Sequence, residues 1–107
     1  MDGVNLTYGS EPDILFEKNG EYVVTIEVKG GKDPAGALER LGAVQKSFEE
    51  TPVQCHNFLI AGVVTPEMKK RLNRLSGTKV FLLDDLLSDS GWDRFVEEVF
   101  HQALRII

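Results

Sequence analysis

A chain of 107 residues with 42% hydrophobic and 27% charged residues is one domain with a real core and no room for a second. Its formal net charge of -5 argues against a general nucleic-acid coat protein, although not against an enzyme whose acidic side chains hold a metal. No apolar run approaches the roughly 18 residues of a membrane span, no signal peptide opens the chain, and a single cysteine, Cys55, excludes an intrachain disulfide and suits a reducing cytoplasm.

Asn5 to Tyr8 is expected to form a first short strand, ended by Gly9-Ser10. Two central strands follow, Asp13 to Glu17 and Glu21 to Lys29, rich in β-branched and aromatic residues around Lys18-Asn19-Gly20. Gly30-Gly31-Lys32 breaks the second. Asp33-Pro34 starts a helix, an Asp N-cap with proline at the first helical position, and the helix runs to about Glu50. Ala37, Leu41, Val44 and Phe48 make its inner stripe, and Thr51-Pro52 stops it. Phe58 to Val64 is a continuous apolar run, the pattern of a strand buried on both faces. Thr65-Pro66 repeats the cap-plus-proline signal for a short helix lined by Met68, Leu72 and Leu75 and closed by Gly77. Lys79 to Leu83 is a fifth strand. Ser90-Gly91-Trp92-Asp93 reads as the capping box of a last helix with Trp92, Phe95, Val96, Val99, Phe100, Ala103 and Leu104 on one side, a core or dimer surface. The order β-β-β-α-β-α-β-α implies an antiparallel three-strand meander extended by parallel strands, an α/β sandwich with helices on both faces.

Asp13, Glu27 and Lys29 are polar where a strand pair should be apolar. Burying two carboxylates and an ammonium is costly unless they are paired or hold a metal. Side chains alternate along a strand, so Glu21, Thr25, Glu27 and Lys29 share a face, opposite Tyr22, Val24, Ile26 and Val28. Stacking the apolar sets puts Asp13 with Glu27. A two-residue Asn19-Gly20 turn would pair Asp13 with Ile26 and put Glu27 on the wrong side. A three-residue loop with Gly20 left-handed pairs Asp13 with Thr25, and that loop is the expectation. The plain alternative for these residues is a buried Glu-Lys ion pair within a sheet.

Pro12-Asp13, a gap, and Glu27-Val28-Lys29 resemble the PD-(D/E)xK nuclease signature in its strand positions. The stretch from Gly30 to Arg40 is similar to the XcyI-type branch of type II restriction endonucleases. The resemblance implies a restriction endonuclease-like three-layer sandwich and a metal-dependent endonuclease that hydrolyses DNA phosphodiester bonds, leaving a 5′-phosphate. It makes Asp13 and Glu27 ligands of Mg²⁺, with Mn²⁺ substituting, the Val28 carbonyl a third ligand, and Lys29 the group that orients the attacking water. A duplex cutter implies a homodimer on DNA. The superfamily usually has a helix before the first strand, for which Met1 to Val4 leaves no room, so residues 1–107 are a single catalytic domain of a longer enzyme or a reduced version. The rival is a non-catalytic binding or assembly subunit of the same fold.

Other polar residues have plainer readings. Glu11 is expected in solvent. Glu39, Arg40 and Gln45 lie on the crossover helix, where Glu39 or Gln45 as support for a metal water or phosphate competes with an ordinary helix surface. Gly31 and Lys32 could touch the scissile strand, or merely form a turn. Cys55-His56, with His101 remote on a helix, reads as packing rather than as a nucleophile or zinc site. Lys69, Lys70, Arg71, Arg74 and Lys79 could hold a DNA backbone or be a solvated face.

Overall fold

The computed structural model describes residues 4–9, 12–52, 54–75 and 77–103, with side chains as far as residue 101. Strands β1 (Val4–Tyr8), β2 (Ile14–Lys18), β3 (Glu21–Lys29), β4 (His56–Ala61) and β5 (Thr78–Leu82) form one sheet in that order. β1, β2 and β3 pair antiparallel, and β4 and β5 add in parallel. Mixed pairing follows from connection length: short turns give antiparallel neighbours, while helical crossovers give parallel ones.

Helices α1 (Pro34–Glu49) and α2 (Pro66–Leu72) cover one face. Both start as the sequence implies. The Asp33 side chain accepts from the Gly36 N–H, the Thr65 side chain from the Met68 N–H, and proline opens each helix. Ala37, Leu41, Val44 and Phe48 are the buried stripe of α1, packed with Leu59, Ala61, Met68 and Leu72. The other face is covered by α3 (Leu83–Leu86), α4 (Asp89–Val96) and a π-helical continuation over Glu97–Ala103. There Phe95 and Val99 pack on Phe16, Val24, Ile26, Phe58, Ile60 and Phe81, with Phe81 edge-on to Phe95 at 5.3 Å. The result is the three-layer sandwich expected from the element order.

Six expectations need correction. Lys18 pairs with Glu21, so the hairpin has a two-residue Asn19-Gly20 turn with φ of 56° and 80°, not a three-residue loop. The register then shifts between Phe16 and Glu17, leaving Val23 as an extra residue in β3, and beyond it Ile14 faces Ile26 rather than Asp13 facing Thr25. The bulge turns Tyr22 away from the Val24 side, to which Val23 packs instead. Finally, α4 is capped by Ser88, whose hydroxyl accepts from Gly91 N–H, not by Ser90. Leu83 begins the short α3 instead of ending β5, and Trp92 is 53% exposed rather than core. The side chain of Ala103, and Leu104 and Glu11 altogether, lie outside the described residues.

The end of β3 is fixed to β4. Gly62 N–H donates to the Lys29 carbonyl at 2.8 Å, and a Cβ on Gly62 would stand 2.3 Å from the Gly30 carbonyl oxygen. Only glycine permits that approach.

Candidate active site

The bulge decides the geometry of the polar residues. Continuing the Ile14–Ile26 register by one residue brings Asp13 across from Glu27, on the same face of the sheet. The Asp13 carboxylate is held there: its Oδ2 accepts the Val28 N–H at 2.7 Å, and its own carbonyl accepts Gly9 N–H at 3.0 Å. Glu27 lies beneath the α1 face in register with buried Leu59, and is itself 3% exposed. Lys29 follows it on the same side, Nζ 4.0 Å from Glu27 Oε2. That is a charge contact rather than a hydrogen bond. Asp13 thus stands across from Glu27 in register, with Lys29 two residues further along β3, through a bulge in place of the anticipated loop.

Val28 contributes its main chain. The Lys29 carbonyl points towards β4, where Gly62 binds it, and main-chain groups alternate along a strand. The Val28 carbonyl therefore points towards β2, the side on which Asp13 sits. Two carboxylates and a carbonyl are hard oxygen donors, the set that Mg²⁺ takes when it uses one or two carboxylates and keeps several waters. Among the described residues no three His, Cys, Asp or Glu side chains gather in one cluster.

A polar network unread in the sequence continues this face towards the hairpin turn. Thr25, buried two residues before Glu27, donates to Asn57 Oδ1 at 2.5 Å, and Asn57 Nδ2 donates to Thr51 Oγ1 at 3.0 Å. Thr51 in turn donates to the Phe48 carbonyl at 2.7 Å, tying the strands to the C-terminus of α1. Asn57, polar inside an otherwise apolar strand, was the available signal. A cleft of about 500 Å³ adjoins the network, lined among others by Pro12, Tyr22, Thr25, Thr51 and Gln54. It borders the triad without containing it.

The remaining candidates lie apart from one another. Cys55 is buried, and burial pushes its thiol up to about 11, which leaves it protonated and inert. His101 pairs with Glu97 on its own helical segment, and His56 is half-buried in β4. Arg71 pairs with Glu67 at 3.0 Å and Lys79 with Glu98 at 2.5 Å, so part of the basic stretch is neutralised locally. Glu39 is exposed and Gln45 half-buried. Lys32 reaches Asp84 at 3.3 Å.

A family model described as XcyI restriction endonuclease matches residues 2–104. The chain belongs to the XcyI restriction endonuclease family. No curated protein and no solved structure matches it. In this XcyI-family chain the matched region includes β1 to β5 and every residue of the site described above. Family membership makes DNA the relevant substrate class. Among the described residues no helix is long and apolar enough to cross a membrane.

Proposed function

We propose that the chain is a divalent-metal-dependent deoxyribonuclease that hydrolyses backbone phosphodiesters at Asp13, Glu27 and Lys29, leaving a 5′-phosphate. The observation that carries this is the placement of two carboxylates opposite each other at the end of a buried strand pair, one of them oriented by the intervening Val28 amide. A lone structural ion pair needs one acid and one base, and Asp13 is a second acid.

Asp13 Oδ2 is occupied by the Val28 N–H, which fixes the plane of the carboxylate and leaves Oδ1 for a cation. Glu27 is held in the sheet, and the Val28 carbonyl completes the oxygen set. Mg²⁺ bound to these groups, or Mn²⁺ in its place, would lower the pKa of a water and offset phosphate charge. Lys29, with a side chain 36% exposed against 4% for Glu27, is open to solvent and hence to DNA. Its ammonium has three donors and no acceptor, so it binds the attacking water or the phosphate oxygens, where negative charge builds up. A duplex cut requires two such sites, which a homodimer supplies. Residues 1–107 would then be the catalytic domain, acting alone or within a longer enzyme.

Calorimetric Mn²⁺ titration beside plasmid nicking tests this on the wild type, Asp13→Asn and Glu27→Gln. Both variants should lose metal binding and cleavage together. Cleavage by Glu27→Gln at the wild-type rate would remove the site. A wild type that binds no divalent metal even with DNA present would give way to the assembly-subunit reading.

A further inference from the structure

Gly31 and Gly36 resemble a strand-to-helix turn and a helix start, yet among the described glycines positive φ occurs only at Gly20 and Gly77. Backbone freedom does not explain these two positions. Space does. A Cβ on Gly31 would lie 2.4 Å from Arg40 Nη2, and one on Gly36 would lie 2.9 Å from Arg40 Nη1. Both are closer than real Cβ atoms come. The two glycines therefore leave room for one guanidinium between the end of β3 and the first turn of α1, and a Cβ at either would push that free end of the Arg40 side chain out of it.

The seat is two residues beyond Lys29, at the same end of β3 as the cleavage site proposed above. Arg40 occupies it with no hydrogen-bond or ion-pair partner among the described residues. Asp33, the N-cap of α1, accepts the Gly36 N–H on its Oδ2 at 3.1 Å, and none of the ion pairs or hydrogen bonds among the described residues includes Arg40. Ordering a long side chain costs rotamer freedom, which its contacts here do not return as hydrogen bonds. Five N–H donors in a planar fork, exposed to solvent, match the oxygens of a phosphate.

We propose that Arg40 binds a DNA backbone phosphate adjoining the scissile one, and that Gly31 and Gly36 hold its guanidinium in place for that contact. Its role as an aid to cleavage rests on Asp13, Glu27 and Lys29 being the cleavage site, but its contact with phosphate is measurable without cleavage.

The experiment is fluorescence anisotropy of a labelled duplex with the full chain in EDTA, across a NaCl series, for wild type, Arg40→Ala, Arg40→Lys, Gly31→Ala/Gly36→Ala and Lys46→Ala. Arg40→Ala should weaken binding by about tenfold to a hundredfold, as loss of a charge-assisted hydrogen-bonded pair does. It should also flatten the slope of log K against log salt by about 0.9, one phosphate contact. Arg40→Lys should restore the slope in part. The double glycine variant keeps every charge but displaces the guanidinium, so it should behave like Arg40→Ala. Lys46→Ala, on the last turn of α1, should match wild type. A wild-type slope and affinity in Arg40→Ala overturns the contact. Wild-type binding by the double glycine variant overturns the seat, and an equal loss in Lys46→Ala overturns its specificity. If Glu27→Gln cleaves normally, the cleavage site fails, while the salt slope still decides Arg40 separately.

Discussion

Replacing Lys29 with alanine separates stability, metal binding and cleavage in a single variant. Its ammonium is 4.0 Å from Oε2 of Glu27, whose side chain is 4% exposed. Two unit charges that close attract by about 4 kcal/mol at an effective dielectric near 20. The Lys29 side chain is 36% exposed, so solvent screening reduces its contribution to about 1 kcal/mol. Losing it should lower the metal-free Tm by about 4–8 °C in a domain of this size. Mn²⁺ affinity should hold or rise, because a competing positive charge has gone, and saturating Mn²⁺ should recover part of the Tm deficit. Cleavage should nevertheless fall by about 10²–10³, the usual cost of deleting one preorganised electrostatic contact. Differential scanning calorimetry with and without Mn²⁺, calorimetric titration and plasmid nicking give the three readings. A wild-type nicking rate refutes the role assigned to Lys29. A Tm deficit that Mn²⁺ leaves untouched refutes the shared electrostatics.

Asn57→Ala leaves the buried Thr25 hydroxyl without its acceptor and should cost about 2–4 kcal/mol, seen as a lower urea midpoint at unchanged slope. Gly91→Ala should destabilise by about 2 kcal/mol or more, because its Cβ would stand 1.8 Å from the Asp85 carbonyl oxygen. Gly42→Ala, with nothing within 4 Å in α1, should stabilise by about 0.5–1 kcal/mol in the same denaturation assay. Cys55 supplies a pH test. Its folded value of about 11 lies above the ordinary 9.0, so folding favours the thiol, a preference complete below pH 9 and lost as pH rises towards 11. Stability should fall by about 2–3 kcal/mol across that window, and Cys55→Ala should flatten the fall.

Much of this fold was legible because its signals are local. The α1 stripe obeys the helical period over four buried positions, and its cap and proline lie next to each other in the chain. β4 declares itself as an apolar run, and the triad stands out because charged residues interrupt β-branched ones. The hairpin was harder. Asn19-Gly20 correctly announced a two-residue turn, while the parity of the charged residues demanded an odd offset. The chain satisfies both with an extra residue at Val23, and Tyr22-Val23-Val24 contains no glycine or other mark to reveal a bulge. The cap of α4 is Ser88 where the sequence pattern pointed to Ser90, and Gly91 there lies close against the Asp85 carbonyl. The π-helical continuation then departs from the 3.6-residue period on which the expected stripe from Trp92 depended. The Arg40 seat was beyond reach, since a glycine that clears space for a side chain elsewhere looks like any other.

The two carboxylates differ in how they are fastened. Glu27 and Lys29 belong to a strand paired on β4, and Gly62 locks that strand's end. Asp13 stands just outside the β2 ladder, held by one side-chain bond to the Val28 amide and one main-chain bond to Gly9. Local opening here should therefore be one-sided, with Asp13 released more readily than Glu27. The Val28 amide is shielded from solvent exchange only while Asp13 is docked. Its deuterium uptake thus clocks the assembly of the site in the free protein, without metal, DNA or turnover.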